Sequence, residues 1–388
     1  MANIDRLNAL GEPIADVYEE ITRRVMLNLA RYFRALKPGE APGGAFEYQA
    51  RKLAELGQLT DETRRIIGGM ARTAGSALQV ALEKAIEDAL GDFGARRPAD
   101  LSPRMTRAFE LYWQQSADRL NLVNTVMLES TGEAYRATVS DIVARMRAGQ
   151  GILNTAAGTI ITGAEDFNTA QRLAVERMVD NGITGHVDHG GHRWRPETYV
   201  AMDMRSTMHN ASREAFFETN EKLGNDLFLV SQHPGARPLC YPWQCRVVAW
   251  KGPARDVADG DGNPVHVYAL SDTSYGEPAG LFGINCGHHP ELFIEGVTRV
   301  PELRQTEDQN AEAYEISQRH RRLEREFRDA RLRIDVARAR GDDTALKGAE
   351  EKLRRADERL DRFCTEHDRK RRREREYGPV QATWPERR

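Results

Sequence analysis

The stretch that decides the fold of the central region reads Ser231-Gln-His-Pro-Gly-Ala-Arg-Pro-Leu-Cys-Tyr-Pro-Trp-Gln-Cys245. A second stretch, further along the chain, reads Gly283-Ile-Asn-Cys-Gly-His-His289. Proline and glycine predict turns in the first stretch, and glycine predicts them in the second. Histidine, cysteine, tryptophan and arginine are costly in such turns unless the loops hold a fixed shape. The two stretches therefore predict either one functional site or one pair of loops that brace each other, in the least helical part of the chain.

Composition places the protein among soluble globular chains. Its 388 residues predict about two or three domains, and 40% hydrophobic with 30% charged residues is ordinary for a protein with a real core. A formal net charge of -3 excludes the global field of a nucleic-acid binder. No signal peptide or membrane-spanning run is predicted. The four cysteines, Cys240, Cys245, Cys286 and Cys364, are too few for a disulfide-stapled secreted scaffold and favour reduced, intracellular synthesis.

Residues 1–180 predict a helical N-terminal region. Apolar residues recur at three- and four-residue spacing along one face of the first helix: Ile14, Val17, Ile21, Val25, Leu29 and Phe33. Further helices are predicted over residues 46–56, 60–90, 104–146 and 164–179, with breaks at 37–44, 91–103 and 149–163. An interruption is expected near Thr131-Gly132. Asn181-Gly182 is typical of a helix C-cap.

Residues 181–300 predict a small α+β domain. Strands are predicted over residues 226–230, 246–250 and 265–270, and Asp259-Gly-Asp-Gly-Asn-Pro264 is interpreted as a long hairpin tip between the last two. Pro196 suits the first turn of a helix that runs to about Leu223. Gly190-Gly191 predicts a hairpin that carries His186, His189 and His192. Because residues i and i+3 of a strand point to opposite faces, these histidines favour a solvated hairpin tip over a metal site.

Residues 301–377 predict a helical hairpin, followed by a tail over 378–388. Before Gly341-Asp-Asp343 the apolar heptad positions are Ile316, Leu323, Phe327, Ala330, Ile334 and Ala337. After it they are Leu346, Ala349, Leu353, Ala356, Leu360 and Phe363. The pattern predicts an antiparallel coiled-coil hairpin. Its short, alanine-containing heptads favour packing on something else or on copies of itself. The predicted fold class is therefore α+β and predominantly helical.

Four residues of the two irregular loops are candidate ligands for a structural zinc ion: Cys240, Cys286, His288 and His233. Cys286-Gly-His288 forms a tight pair, and Cys240 or Cys245 could supply the other side, although the spacing matches no standard zinc knuckle. Without a metal, the same residues would be buried thiols and hydrogen-bonded histidines that brace the loops, and this is the favoured interpretation. A Cys240–Cys286 disulfide is a third alternative.

Two other functions compete at the level of residues. A cysteine-dependent enzyme would use Cys286 as nucleophile and His233 or His288 as base, yet no phosphate-binding loop, serine elbow or diagnostic carboxylate pair accompanies them, so no catalytic residue is predicted. A basic block follows the hairpin: Arg369, Lys370, Arg371, Arg372 and Arg373. It predicts either contact with nucleic-acid phosphates or a solvated helix end.

The order of motifs through the central region resembles the phage minor capsid protein 2 family, which is related to Mu-type head morphogenesis proteins. The matching positions are Gly182-Ile-Thr184, Asp188, Trp194, Arg205-Ser-Thr207, Ser231-Gln-His233, Ala236-Arg-Pro238, Cys240, Pro242-Trp-Gln244, Tyr275-Gly276, Gly280-Leu281, Gly283-Ile-Asn-Cys286, His288, Phe293-Ile-Glu-Gly296 and Asn310-Ala311 with Tyr314. Within them Arg205, Arg237, Trp243 and Asn285 are expected to be structural. Two departures are Cys245, where the family usually has glycine, and Gly287, where it usually has arginine.

The resemblance implies a structural virion protein made in the bacterial cytoplasm. It would be built into the procapsid near the portal in a few copies, act in head morphogenesis, and aid DNA packaging or ejection. The implied partners are the portal protein, the major capsid protein and packaged DNA, without a membrane. The rival from another class is a virion-associated metal- or cysteine-dependent enzyme centred on Cys286 and His288.

Overall fold

A computed structural model describes residues 4–37, 40, 43–91, 102–153, 164–372 and 376. Its helices are α1 (Ile4–Tyr32), α2 (Ala45–Ala54), α3 (Leu56–Gly91), α4 (Pro103–Leu153), α5 (Ala164–Asn181), α6 (Pro196–Lys222), α7 (Glu307–Arg340) and α8 (Asp343–Glu366). The strands are β1 (His186–Val187), β2 (Arg193–Trp194), β3 (Leu227–Val230), β4 (Val247–Ala249), β5 (Arg255–Ala258), β6 (Pro264–Ala269) and β7 (Pro290–Leu292). The predicted α+β, predominantly helical class is confirmed.

Each of two compact units is assembled from three separate segments. The sheet unit comprises Met1–Ala15, Thr73–Arg119 and Val200–Arg319. The helical unit comprises Asp16–Arg72, Leu120–Tyr199 and His320–Arg388. No helix within the described residues has the length and apolarity that a membrane span requires. The predicted tail over 378–388 and most of the predicted breaks over 91–103 and 149–163 lie outside the described residues.

The sheet unit contains a five-stranded mixed sheet in the order β5-β6-β4-β3-β7. The strands predicted over residues 226–230, 246–250 and 265–270 are confirmed as β3, β4 and β6. The predicted hairpin between the last two is wrong, because β4 and β6 pair in parallel, with Val248 opposite Tyr268. The glycine-rich tip joins the unpredicted strand β5 to β6 instead, with Ala258 opposite Pro264. A glycine-rich turn predicts that the chain reverses direction, but it does not show which strand lies before the turn.

Both faces of this sheet are covered. On one face Phe216 and Phe217 of α6 pack against Phe228 of β3, with ring centroids 5.7 Å and 4.7 Å away. On the other face Phe293, which follows β7, packs with Val247 and Val267. Because side chains alternate along a strand, covering both faces requires apolar residues at every position of a central strand. The Leu-Phe-Leu-Val sequence of β3, buried throughout, meets this requirement.

Helix α4 runs without a break through Thr131-Gly132, so the predicted interruption there is wrong. Thr131 is buried and its hydroxyl donates to the Met127 carbonyl at 2.7 Å. The neighbouring Ser130 hydroxyl donates to the Thr184 carbonyl at 2.9 Å. A helical glycine costs only about 1 kcal/mol relative to alanine, and the packing of the surrounding turns is sufficient to offset that cost.

The predicted helical hairpin is present in the helical unit. Gly341 has a φ of 65°, which ends α7, and the Asp342 carboxylate accepts from the Ala345 amide at 2.9 Å, which caps α8. Phe327 of α7 packs with Leu360 and Cys364 of α8. The expectation that the hairpin packs on something else is met by its own chain: Asp329 pairs with Arg195, Asp342 with Arg172 at 3.3 Å, and Lys352 with Glu176 at 3.8 Å.

Candidate metal centre

The two irregular loops meet because β3 lies between β4 and β7 in the sheet. The first loop leaves β3 and leads to β4, and the second leads to β7. Both β4 and β7 pair antiparallel with β3. The C-terminal end of β3 therefore lies beside the N-terminal ends of β4 and β7, and the two loops meet at this end of the sheet. Backbone bonds close the junction: the Cys245 amide donates to Val230 at 2.9 Å, and the Ser231 amide donates to His289 at 3.1 Å.

Cys240, Cys286 and His288 come together in a buried cluster at this junction. The Sγ atoms of Cys240 and Cys286 lie 3.8 Å apart, and Cys286 Sγ lies 3.3 Å from His288 Nδ1. The three candidate ligand atoms all lie within 4.8 Å of one another. A disulfide has a sulfur–sulfur distance of about 2.05 Å, so both cysteines are free thiols here.

The surroundings of the two sulfurs shift their pKa values in opposite directions. Cys240 and Cys286 share a hydrogen bond between their sulfurs, and this contact together with His288 lowers the pKa of Cys286. The Phe282 amide also donates to Cys286 Sγ at 3.2 Å. The interaction with Cys286 and burial raise the pKa of Cys240. Within the pair, Cys286 is therefore the more acidic thiol and Cys240 the less acidic one.

His233 lies beside this cluster, with its ring centroid 4.3 Å from that of His288. Burial lowers the pKa of His233, which favours the neutral imidazole. Its Nδ1 lies 3.2 Å from the Pro234 carbonyl. The Nε2 atom is buried and has no hydrogen-bond partner among the described residues, as is also true of His288 Nε2. A Cβ atom at Gly287 would lie 2.8 Å from His233 Nε2, so the glycine gives His233 room to approach.

The four residues expected to be structural hold the same loops. Arg205 of α6 donates to the Asn285 side chain. Arg237 donates to the Gly280 carbonyl at 3.4 Å. Trp243, in a short 3-10 helix, packs on Tyr268 with ring centroids 5.5 Å apart. The structure thus gives each a positioning contact in or next to the two loops.

Two further residues of this region were missed in the sequence. The Ser274 hydroxyl donates to the Leu239 carbonyl at 2.6 Å and accepts from the Leu281 amide at 2.9 Å, so it joins the first loop to the segment before the second. Arg213 of α6 donates to the Phe282 carbonyl at 3.1 Å and lies 4.9 Å from the Phe282 ring centroid. A serine beside Tyr275-Gly276 is a weak signal, and an arginine within a helix gives none.

Cys245 contributes no atom to the cluster. Its φ is 57°, in the left-handed region that favours glycine. This conformation explains why glycine suits the position in the family that the sequence resembles. Of the two cysteines that could supply the other side of the candidate site, Cys240 is the one that lies in the cluster.

An enzymatic use of Cys286 would require access to a substrate. Cys286 and His288 are both buried, with only 7% and 1% of their surfaces exposed. A nucleophile must reach the reacting atom of its substrate within about 3–3.5 Å, and both side chains are almost fully covered in the structure. The geometry is better suited to holding the loops than to catalysis.

The other histidine and arginine clusters have local roles. In the confirmed β1–β2 hairpin, the His186 ring stacks on Tyr199 at 4.0 Å and His192 lies 3.2 Å from the Asp188 carboxylate. In the basic block Arg371 pairs with Asp357 at 2.8 Å and Glu376 at 2.7 Å. Its guanidinium is thereby engaged within the fold. Lys370 is exposed, Arg369 and Arg372 are half-buried, and Arg373 lies outside the described residues.

Acid should destabilise the sheet unit through His209 of α6, which lies 3.0 Å from the Asn8 side chain. Burial, Arg213 and Arg205 lower its pKa to about 4, whereas an unfolded histidine titrates near 6.5. Between about pH 6.5 and pH 4, His209 is therefore protonated in the unfolded state but not in the folded state. The free energy of unfolding falls as pH falls through this range. At pH 5 the loss should be about 2 kcal/mol.

Urea unfolding of wild type and His209→Gln at pH 7.5 and pH 5 measures this contribution. The stability difference between the two pH values should be smaller in the variant by that amount. An identical pH dependence in both proteins would contradict the assignment to His209.

These features define a predominantly helical α+β protein in which a buried Cys/His cluster joins two loops at the edge of a sheet. The sequence profile of phage minor capsid protein 2 matches residues 3–365. The chain belongs to the phage minor capsid protein 2 family. It is also similar to a protein named "Structural protein" from Lactococcus phage LL-H, with 25% identity over 340 residues, covering 83% of this chain and 87% of that relative. No solved structure matches the chain significantly.

Family membership confirms the resemblance found in the motifs. The protein is a structural component of a bacteriophage and is located in the virion. Its family is one of structural proteins.

Proposed function

We propose that this protein acts in assembly of the phage head, near the portal, where it contacts the portal protein or the major capsid protein. The observation that carries the proposal is the match to a minor capsid family over residues 3–365. A role in DNA packaging or ejection would follow from such a position. The free protein would be made in the host cytoplasm before it enters the procapsid.

Exposed apolar side chains on the N-terminal helices support a protein-binding role. Phe46 of α2 is 80% exposed, with the Arg147 guanidinium 5.2 Å from its ring centroid. Val80 of α3 is 63% exposed, and Leu111 and Trp113 of α4 are also exposed. Single exposed apolar residues are common on soluble proteins, but aromatic and aliphatic residues of this kind are frequent anchors of interfaces.

Substitution of the exposed Phe46 or Val80 should reduce incorporation into heads without reducing the stability of the fold. In phage that carry Phe46→Ser or Val80→Ser, the amount of this protein in purified heads should fall about tenfold, since each anchor is expected to contribute on the order of 1.4 kcal/mol to binding. Quantitative mass spectrometry, normalised to the major capsid protein, measures the effect. The isolated variants should unfold within about 0.5 kcal/mol of wild type because both sites are exposed.

Val297→Ser provides the matched control, because Val297 is 68% exposed but lies in a loop after β7. It should enter heads at the wild-type level. Normal incorporation of both helical variants would exclude these helices as the interface. Normal head formation in the complete absence of the protein would exclude the assembly role itself.

We further propose that any contact with packaged DNA uses the exposed Lys370 rather than Arg371. The ion pairs of Arg371 with Asp357 and Glu376 support this division. Binding of this kind weakens steeply as salt rises, because it releases counterions from the phosphates.

A further inference from the structure

We propose that Cys240, Cys286 and His288, with His233 as the fourth ligand, form a structural zinc site that fastens the two loops of the sheet unit together. The site would hold residues from the loop that leaves β3 and from the loop that leads to β7. Its role would be to hold the two loops together at the end of the sheet where they meet. This role is independent of which head protein the chain contacts.

The spacing of the ligand atoms fits this metal. In a tetrahedral site with Zn–S near 2.3 Å and Zn–N near 2.0 Å, neighbouring ligand atoms lie about 3.3–3.8 Å apart. The two sulfurs lie 3.8 Å apart, and Cys286 Sγ lies 3.3 Å from His288 Nδ1. Sulfur atoms at this distance are too far apart for a bond but are already arranged as two corners of a tetrahedron.

His233 supplies the fourth corner through its tautomer. The Pro234 carbonyl can only accept a hydrogen bond, so the 3.2 Å contact places the proton of His233 on Nδ1. Its Nε2 then carries a free lone pair, and this buried atom has no donor among the described residues. Metal-bound histidines are held in the same way, with the second ring nitrogen donating to a carbonyl or carboxylate. A Cβ atom at Gly287, between Cys286 and His288, would lie 2.8 Å from His233 Nε2, so the glycine leaves room for this nitrogen beside the cluster.

The surroundings of the sulfurs also suit a metal. The Phe282 amide donates to Cys286 Sγ at 3.2 Å, and the Arg237 guanidinium lies 4.0 Å from Cys240 Sγ. Both would stabilise thiolate charge. Binding of Zn²⁺ displaces the thiol protons of Cys240 and Cys286 to solvent. Four protein ligands leave no open coordination position, so the site would be structural and not catalytic.

Metal analysis of the full-length protein tests the site. Protein purified without chelator should contain about one zinc per chain, as a closed structural site requires. Cys240→Ser and Cys286→Ser should each raise the Kd for Zn²⁺ by about 100-fold or more, and His233→Ala by about 10-fold or more. Cys245→Gly is the matched control: it removes a neighbouring buried cysteine outside the cluster, and its zinc content should equal that of wild type.

Cobalt provides a measurement that needs no variant. Metal-free wild type titrated with Co²⁺ should show thiolate-to-cobalt charge transfer and the visible bands of a tetrahedral site, both saturating at a one-to-one ratio. Wild type that binds neither ion would overturn the proposal, as would a folded Cys286→Ser variant with wild-type affinity. Unchanged affinity in His233→Ala would overturn the closed four-ligand site. Circular dichroism of each variant shows whether a loss of metal reflects a loss of fold.

Discussion

Arg340→Met should lower the free energy of unfolding by about 3–4 kcal/mol, because it removes a buried cation on which several groups depend. Arg340 is only 2% exposed at the end of α7. Its guanidinium donates to the Phe33 carbonyl at 2.8 Å and to the Gln171 side chain at 3.1 Å, and lies 3.3 Å from the Asp342 carboxylate. Methionine fills much of the same volume but leaves these acceptors without their donor.

Burial lowers the pKa of Arg340 to about 10, so the side chain is still protonated at neutral pH. Asp342 keeps Arg172 and the Ala345 amide as partners, which limits the loss to the range given. Urea unfolding followed by circular dichroism measures the effect.

Arg354→Met is the matched control for this prediction. Arg354, on α8, pairs with Glu351 at 2.8 Å and with Glu358, but its side chain is 59% exposed. Exposed ion pairs contribute little because water screens them, so the control should lose far less stability than Arg340→Met. Equal losses in the two variants would contradict the argument from burial.

Leu360→Ala should destabilise the protein by about 3 kcal/mol, the usual cost of removing a large apolar side chain from a filled core. Leu360 is fully buried and packs with Phe327 across the hairpin. Truncation removes the contacts of its branched end and leaves a cavity, because two helices joined by a short capped turn cannot close over the gap. The measurement is again the free energy of unfolding.

The structure changes which hairpin positions are expected to be most sensitive. The heptad pattern gives Leu323 and Leu353 the same status as Leu360, yet both are only partly buried beside the cluster. Leu353→Ala should therefore cost less than half as much as Leu360→Ala. A loss as large at Leu353 as at Leu360 would show that the hairpin has a core different from the one described.

The hairpin links these predictions to the virion. Through Asp342 and Lys352 it is fixed to α5, and through Arg340 to the Phe33 carbonyl at the end of α1. Destabilising it should lower the amount of folded protein that reaches the virion. Loss of incorporation into the virion without loss of stability, as expected for Phe46→Ser, distinguishes a contact residue from a core residue.

Several features could be predicted from local sequence because their physical causes are local. Gly341 and Asp342 specify the hairpin turn, since one adopts a positive φ and the other caps the next helix. Gly182, with a φ of 66°, ends α5 as the Asn-Gly pair indicates. Pro196 begins α6 at the position where a missing amide hydrogen costs nothing. Each signal lies within a few residues of its effect.

The sheet order could not be predicted in this way. The tip over residues 259–264 indicates a turn, but the parallel pairing of β4 with β6 depends on which strands share a buried face. Strands β5 and β7 are short and carry few apolar residues. Each pairs with the unpaired backbone groups of a neighbouring strand, β5 with β6 and β7 with β3. Those groups are available only once the rest of the sheet has formed.

By itself, then, the sequence determined the helical class, the hairpin, three strands, the family and the residues of the candidate site. Only the tertiary structure decided that Cys240, Cys286 and His288 share one buried cluster while His233 lies beside it and Cys245 contributes nothing. The reason is that β3 lies between β4 and β7, which brings distant loops to one edge. Proximity between such distant residues is set by strand order and packing, and no local pattern of residues encodes it.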